Sequence, residues 1–297
     1  MATQEQTVVI GAGPAGVAAA TQLERAGMHP LLVEKGPVGG LVLNAWKVEN
    51  YPGFPSGIRG VDLARLLEEQ IERFLIRVER STVVSVSRTR GGYAIESDRG
   101  RIPAKGVVVA TGTVPRPLPA NLAADCPPGR LFYEVKDLPA DRRRRVAIVG
   151  GGDAAFDYAL GLADGGTSVD VFFRSPRPRA LRLLVAQAQR SPRIRIHAGT
   201  EVKNIAGTHG GIQLRFSDGS ACEADVLLAA IGRDPNVSFL ADEIRQSIEE
   251  NGTGGLPGFH LAGDVRRGLH RQVAVAVGDG LVSAMQITAL FSGGTDE

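Results

Sequence analysis

The chain carries two glycine-rich turns, each standing between a short apolar segment and a helix-like segment. The first turn, Gly11-Ala-Gly-Pro-Ala-Gly16, follows the apolar residues 7–10 and precedes an alanine-rich stretch that runs to about residue 26. Residues 30–33 form the next apolar segment, and Glu34 closes it. In a strand–turn–helix–strand unit of this kind, the glycines allow a tight turn and the close approach of a pyrophosphate, while the acidic residue accepts from ribose hydroxyls. The unit therefore predicts a dinucleotide site.

The second turn, Gly150-Gly-Gly-Asp-Ala-Ala155, repeats this layout in the middle of the chain. A strand is predicted over residues 145–149, a helix over 153–164 and a second strand over 168–173. Ala155 takes the place of the third glycine, and Phe173 and Arg174 stand where an acid would close the strand. We therefore predict an α/β protein with two Rossmann-like, three-layer ββα nucleotide-binding domains. Residues 1–115 and 236–297 would form the first domain, and residues 116–235 the second domain, inserted into the first.

The other segments support this division. Residues 60–74 have apolar side chains at helical spacing, and residues 81–87 and 92–97 alternate like antiparallel strands. Residues 106–112 and 225–232 are matching apolar segments that end in Gly112 and Gly232. A strand over 258–264 and a helix over about 272–290 complete the predicted elements.

Composition excludes several classes of protein. The chain has 34 basic and 32 acidic residues, and this even mixture argues against a dedicated nucleic-acid binder. Its two cysteines, Cys126 and Cys222, form no Cys-x-x-Cys, zinc or disulfide pattern, so no metal site is predicted and a reduced cytoplasm is expected. The apolar runs are shorter than the roughly 18 residues that a membrane span needs. We therefore expect a cytoplasmic protein with neither a nucleic acid nor a membrane as partner.

These motifs together resemble the low-molecular-weight thioredoxin reductase family of flavoproteins, over almost the whole chain. Besides the two turns, the resemblance is carried by Gly39-Gly40, Val48-Glu-Asn-Tyr-Pro-Gly53, Ala110-Thr-Gly112, Ala230-Ile-Gly232, Gly263-Asp264 and Arg271-Gln-Val-Ala274. It implies FAD in the first domain, NADPH in the second domain, and a homodimer.

The resemblance fails at the family's redox-active cysteine pair. The corresponding slot reads Tyr133-Glu-Val-Lys136, and Cys126 stands several residues upstream without a neighbouring thiol. Dithiol exchange needs both an attacking and a resolving thiolate, so the standard mechanism of a thioredoxin reductase is not expected. The segment Leu131-Phe-Tyr-Glu-Val-Lys-Asp137 instead resembles the thioredoxin-reductase-like ferredoxin–NADP reductases, which have no active-site cysteines.

The resemblance also implies the cofactor contacts. Asp264 would bind the ribityl chain, and residues 271–273 would lie beside the isoalloxazine. The implied FAD residues are Gly11, Gly13, Pro14, Ala15, Glu34, Lys35, Gly40, Leu41, Asn50, Val83, Ala110, Thr111, Gly112, Gly263, Asp264, Arg271, Gln272 and Val273. The implied NADPH residues are Gly150, Gly152, Asp153, Ala154, Arg174, Arg179, Ile231 and Gly232. Two arginines of the family's His-Arg-Arg…Arg motif remain, while Phe173 replaces the histidine and Ser175 the other arginine.

No catalytic acid or base is predicted, because flavin hydride transfer needs none. Tyr133 and Glu134 occupy the slot that faces the flavin in one domain orientation of the family, and Tyr133 would either stack on the ring or pack in the core. The favoured function is cysteine-independent electron transfer between NADPH and a ferredoxin- or flavodoxin-type carrier through FAD. Two alternatives stay open. In one, the flavin exchanges electrons with ferredoxin or with the disulfide of a thioredoxin-like partner without using NADPH; the other is a flavin-binding protein of low turnover.

Overall fold

The computed structural model describes residues 5–139, 145–251 and 256–292, which belong to two compact units. Unit 1 is formed within Met1–Leu43, Glu49–Val114 and Asp234–Glu297, and unit 2 within Asn44–Val48 and Pro115–Arg233. The predicted boundaries differ from these by one or two residues, and the prediction was wrong to place residues 44–48 in the first domain. The reason lies in Trp46, whose amide donates to Asp157 Oδ2 at 2.8 Å and whose side chain lies against Gly161 in unit 2.

The elements have the following bounds. The helices are α1 (Pro14–Arg25), α2 (Gly60–Arg73), α3 (Ala120–Asp125), α4 (Asp153–Asp164), α5 (Arg182–Arg190), α6 (Asp242–Asn251) and α7 (Val273–Ser292). The strands are β1 (Glu5–Ile10), β2 (Leu31–Glu34), β3 (Arg77–Arg80), β4 (Val83–Thr89), β5 (Gly92–Ser97), β6 (Gly100–Val109), β7 (Thr113–Pro115), β8 (Leu131–Phe132), β9 (Arg145–Val149), β10 (Ser168–Phe173), β11 (Ile194–Ala198), β12 (Val202–Gly207), β13 (Ile212–Phe216), β14 (Ala221–Ala224), β15 (Val226–Ala229), β16 (Arg233–Pro235) and β17 (Phe259–Leu261). Short 3₁₀ helices span Gly40–Asn44, Val135–Asp137 and Gly263–Val265.

Unit 1 is organised around a mixed sheet of order β3-β2-β1-β6-β5-β4, with β17 beside β6. The first half of β6 pairs antiparallel with β5, and its second half runs parallel to β1, with Val9 opposite both Leu32 and Val108. Strands β1, β2 and β6 are parallel, so their carboxyl ends meet at one edge of the sheet. Gly11, Glu34 and Ala110 therefore lie at the same edge.

Unit 2 has a parallel sheet of order β11-β10-β9-β15-β8 between two layers. Ile148 and Val171 pack with α4 on one face, while Ala147 and Phe172 pack with the antiparallel sheet β12-β13-β14 on the other. Such alternation along a parallel strand is what a helix layer and a sheet layer on opposite faces produce. The prediction of an α/β fold with a Rossmann-like unit inserted into another is confirmed.

Helix α7 corrects the expectation about apolar segments. Val273–Ser292 is 20 residues long, and an 18-residue window within it has a mean hydropathy of 1.6, which meets the length and composition of a membrane span. However, Asp279 is buried in its middle, and a Cβ atom at Gly280 would overlap the carbonyl of Ala15 in α1. A helix packed in a protein core has the same features: it closely approaches a neighbouring helix, and its buried acid, here Asp279, is hydrogen-bonded. Length and composition alone therefore do not assign α7 to a membrane.

Candidate functional site

The first glycine turn is fixed by backbone contacts at the sheet edge. Gly11 has φ +103° and donates to Val33 O at 2.8 Å, and a Cβ atom on it would lie 2.5 Å from Ala110 O. A Cβ atom at Gly16 would overlap the carbonyl oxygen of Gly11. These contacts admit only glycine at both positions, as the sequence predicted from a close-packed turn.

The other side of the turn is open. Gly13 is the N-cap of α1 with φ −74° and ψ −179°, and a Cβ atom placed on it would have no neighbour within 4 Å. Gly40 lies beside Gly13: a Cβ atom built on Gly40 would be 3.3 Å from Gly13 Cα. A helix N-terminus with free amides beside such a space suits a phosphate group. The structure thus brings together Gly13, Pro14, Ala15, Gly40 and Leu41 around a cradle that fits a pyrophosphate.

Glu34 lies next to this cradle and binds backbone amides. Its Oε2 accepts from Ala12 N at 2.6 Å and its Oε1 accepts from Gly36 N at 2.7 Å. A carboxylate has about four acceptor positions, so two remain for ribose hydroxyls. The exposed Lys35 follows it in the chain. Glu34 therefore joins the turn to the loop after β2, a role that the sequence did not predict.

The remaining residues of the predicted FAD set also lie in unit 1. Asn50 Nδ2 donates to Gln272 Oε1 at 2.6 Å, which joins two predicted contact residues that are far apart in the chain. Thr111 Oγ1 donates to Asn236 O at 2.8 Å, and Gly112 O accepts from Asn236 N. Val83 is half-buried against the core, and Arg271 and Val273 stand at the start of α7.

The turn that holds Gly263 and Asp264 is positioned by a residue that the sequence analysis missed. Asp279 in α7 is buried, and it accepts from Gly263 N at 3.1 Å and from Arg267 Nε at 2.8 Å. This hydrogen bond to Asp279 raises the pKa of Arg267. A Cβ atom at Gly263 would lie 2.8 Å from Ala15 Cβ, so the turn lies against the start of α1. The sequence did contain a signal for this role: Asp279 is an acid within an otherwise apolar helix, and a buried charge needs a polar partner.

The second glycine turn reproduces the backbone geometry of the first. Gly150 donates to Phe172 O at 2.9 Å, and a Cβ on it would overlap Ala230 O. Gly152 is the N-cap of α4, and its Cβ position is open within 4 Å, with Ala154 exposed beside it. Gly232, which follows Ile231, accepts from Arg116 N at 3.0 Å. Unit 2 therefore also offers a cradle at a helix N-terminus.

The two units differ at the end of the second strand. Phe173 takes the position of Glu34, and a Cβ atom at Gly151 would lie 3.1 Å from the Phe173 side chain. Beyond it, Arg174 and Arg179 are exposed, and Arg179 N donates to Gly151 O at 2.7 Å. The predicted nucleotide residue Asp153 accepts from Leu181 N at 2.8 Å. The acid that would select an unphosphorylated ribose is thus replaced by an apolar ring and nearby cations.

Residues 133–136, which the resemblance predicts to stand in place of the cysteine pair, take part in a hydrogen-bonded network inside unit 2. Glu134 is buried and accepts from Arg233 at 2.8 Å, Lys136 Nζ at 2.9 Å and Asn44 Nδ2 at 3.3 Å. Burial would raise the pKa of Glu134, but the hydrogen bonds from Lys136 and Arg233 outweigh it and lower that pKa. The Tyr133 hydroxyl accepts from Leu118 N at 3.2 Å, and its ring packs against the core.

Both cysteines are free, and neither is activated. Cys126 is buried and Cys222 is half-buried. Burial raises the pKa of each thiol, which reduces the thiolate that exchange chemistry requires. Among residues 5–139, 145–251 and 256–292, no group of three or more His, Cys, Asp or Glu side chains could hold a metal ion.

Comparisons with known proteins cover nearly the whole chain. The family described as "Pyridine nucleotide-disulphide oxidoreductase" matches residues 5–280. A thioredoxin reductase of Chlamydia pneumoniae is 30% identical over 94% of this chain and 96% of its own length. The NADPH-dependent thioredoxin reductase 3 of Arabidopsis thaliana is 30% identical over 95% of this chain and 57% of its own length. A crystal structure of Lactococcus lactis thioredoxin reductase in its FR conformation superposes with a TM-score of 0.82 at 26% identity, covering 97% of this chain and 99% of that one.

Proposed function

The chain belongs to the pyridine nucleotide-disulphide oxidoreductase family, and from this premise we propose that it is an FAD-dependent oxidoreductase that transfers electrons between NADPH and a protein carrier without a cysteine pair of its own. The thioredoxin-reductase-like enzymes of the family use FAD and NADPH. The carrier would be of the ferredoxin or flavodoxin type. The single observation that supports this choice is the occupation of the dithiol slot by Tyr133, Glu134 and Lys136.

Unit 1 fits FAD through the residues around its open glycine. Gly13, Ala15 and Gly40 would hold the pyrophosphate, Glu34 has acceptor capacity for the ribose, and Asp264 would accept from the ribityl chain. The redox chemistry is supplied by FAD when it is bound, since hydride transfer is a reaction of the cofactor itself. The protein's part is therefore to bind, orient and shield it.

Unit 2 fits a nicotinamide nucleotide with a 2′-phosphate. Gly150, Gly152 and Ala154 would face the pyrophosphate, and the exposed Arg174 and Arg179 would neutralise the 2′-phosphate. The absence of an acid at Phe173 removes the residue that normally favours NADH over NADPH. NADPH is therefore the proposed nucleotide.

Cysteine independence is the part of the proposal that can be tested most directly. The purified protein is titrated anaerobically with NADPH, then assayed for reduction of a ferredoxin and a flavodoxin, alongside the double variant Cys126→Ala, Cys222→Ala. We expect NADPH to bleach the flavin absorption in both proteins and the carrier reduction rates to agree within about two-fold, because small apolar replacements in a core usually cost little. Loss of carrier reduction in the double variant, with flavin bleaching retained, would refute the proposal.

A second candidate is reduction of a partner's disulfide by the reduced flavin. The relatives named as thioredoxin reductases favour it. Anaerobic mixing of the NADPH-reduced protein with a thioredoxin-like protein or with a ferredoxin separates the two candidates. Reoxidation of the flavin by the disulfide partner alone would replace our proposal with this one.

We also expect a homodimer in the cytoplasm. Exposed apolar side chains on α7, including Leu281, Val282 and Met285, offer surface that a second copy could cover. Light scattering of the purified protein measures the mass directly. A monomeric mass at micromolar concentration would contradict the expectation.

A further inference from the structure

The loop between β10 and α5 is held in place at both ends. Near its start, Gly199 N donates to Ser175 O at 3.0 Å. Near its end, Arg179 N and Ala180 N both donate to Gly151 O, at 2.7 and 3.1 Å. Pro176 and Pro178 lie between these attachments and restrict the backbone further. The loop therefore presents its exposed arginines from a fixed frame, and one end of that frame is the glycine turn itself.

Asp153 joins this loop to α4 through a side-chain hydrogen bond. It is the first residue of α4, and its Oδ1 accepts from Leu181 N at 2.8 Å. A carboxylate at a helix N-terminus interacts favourably with the helix dipole, but it also repels an anion bound there. The Asp153 carboxylate therefore disfavours a bound phosphate, and its hydrogen bond to Leu181 N indicates a structural role instead.

We propose that Asp153 is a positioning residue for NADPH selectivity: its carboxylate fixes the end of the arginine loop against the second glycine turn, so that Arg174 and Arg179 stand ready for a 2′-phosphate. This inference rests on the proposed function of the second turn as the NADPH site. Fixing the loop in advance lowers the entropy lost when the arginines bind the phosphate. Asp153 thus acts through the arginines rather than by touching the 2′-phosphate.

Four variants separate the hydrogen bond from the charge. Asp153→Ala removes the acceptor, and Leu181→Pro removes the donor of the same hydrogen bond at a position whose φ of −54° suits proline. Asp153→Asn removes the charge and keeps an acceptor oxygen. Asp164→Ala removes an exposed carboxylate at the other end of α4 and serves as the matched control.

The measurement is calorimetric binding of 2′,5′-ADP and of 5′-AMP to each holoprotein, together with its thermal midpoint. The affinity ratio of the two ligands reports the 2′-phosphate preference without any turnover. We expect Asp153→Ala and Leu181→Pro to lower this ratio about three- to ten-fold, as the loss of one hydrogen bond would. Combining Asp153→Ala with Leu181→Pro should lower the affinity ratio no further than either substitution alone, because both remove the same hydrogen bond. Asp153→Asn and Asp164→Ala should keep the wild-type ratio.

The outcomes distinguish this inference from the function on which it rests. A wild-type protein that binds both ligands equally would refute the NADPH assignment, and the inference with it. A wild-type protein that prefers 2′,5′-ADP, with the same preference in Asp153→Ala and an unchanged thermal midpoint, would overturn the inference alone. If Asp153→Asn lost the preference as fully as Asp153→Ala, the charge rather than the hydrogen bond would matter, and the positioning role would be wrong.

Discussion

Substituting glutamine for Glu134 tests how much its buried network with Arg233 and Lys136 stabilises unit 2. The carboxylate is buried and meets two cations, with side chains that are 12% exposed for Glu134, 16% for Arg233 and 35% for Lys136. Glutamine has almost the same shape but brings only one acceptor oxygen and no charge. Arg233, which is 16% exposed, would then lose its ion pair with Glu134 in a mostly buried position.

The expected loss of stability follows from these exposures. Removing one partner of a fully buried ion pair costs roughly 3–5 kcal/mol. Lys136 reaches solvent and the amide oxygen of glutamine still accepts one hydrogen bond, so we expect about 3 kcal/mol at pH 7. For a unit of this size that corresponds to a thermal midpoint lower by roughly 10 °C. The Glu134→Gln, Arg233→Met double variant should recover part of the loss, because the buried charge of Arg233 is removed together with its anionic partner.

The pH dependence gives the stronger test. The pKa of Glu134 is lower in the folded protein than its ordinary value, so its stabilisation is fully present above the unfolded pKa of about 4.3. It is lost as the pH falls through the lower, folded pKa. The midpoints of wild type and Glu134→Gln, measured by calorimetry from pH 7 downward, should therefore converge in acid.

The matched control is Glu201→Gln, which breaks the exposed pair between Glu201 and Lys203. No measurable change in midpoint is expected there, because exposed pairs contribute little. A Glu134→Gln protein that unfolds at the wild-type temperature at pH 7 would refute the expected loss of stability. An equal difference between the two midpoints at pH 7 and in acid would refute the expected pH dependence.

Two further predictions concern unit 1. Gly13→Ala should lose bound FAD, read as the ratio of flavin to protein absorbance, while the apoprotein keeps its thermal midpoint, because the added Cβ meets no atom within 4 Å. Gly16→Ala, whose Cβ would overlap Gly11 O, should instead destabilise the apoprotein by about 3 kcal/mol, and an unchanged apoprotein midpoint would contradict this. Asp279→Asn should lower the FAD content. It should also lower the free energy of unfolding by about 1–2 kcal/mol, a modest amount because Arg267 is 39% exposed. Retention of full FAD content would show that Asp279 does not position the Gly263 turn.

The sequence was sufficient to predict the fold because local constraints decide it. The strand predicted over residues 145–149 and the helix over 153–164 have the bounds found in β9 and α4. The short helices α5 and α6 were not predicted. In α6, Ile244 and Ile248 are the apolar residues within an otherwise polar stretch, so its periodicity is weak. Elements with few apolar residues take their structure from tertiary packing rather than from pattern.

Polar pairing over long sequence distances was beyond prediction. Asn44 and Glu134 are bonded at 3.3 Å, and the sequence offers no sign of this pair. The resemblance placed Asn50 and Gln272 at the same cofactor, but it did not predict their hydrogen bond of 2.6 Å. The assignment of Asn44–Val48 to unit 2 depends on contacts of this kind. Alignment to a family could identify the slot at Glu134, but the partners that fill it become visible only in three dimensions.

The two glycine turns are joined to their following loops by different hydrogen bonds. In unit 1 the side chain of Glu34 joins the turn to the following loop by accepting from Ala12 N and Gly36 N. In unit 2 the polarity is reversed, because the turn carbonyl Gly151 O accepts from Arg179 N and Ala180 N. These two hydrogen bonds join the turn to the loop without an acid at position 173, so the end of the strand carries no negative charge. In the proposed NADPH site, Arg174 and Arg179 then meet no carboxylate at the strand end, an arrangement that favours a 2′-phosphate over a free 2′-hydroxyl.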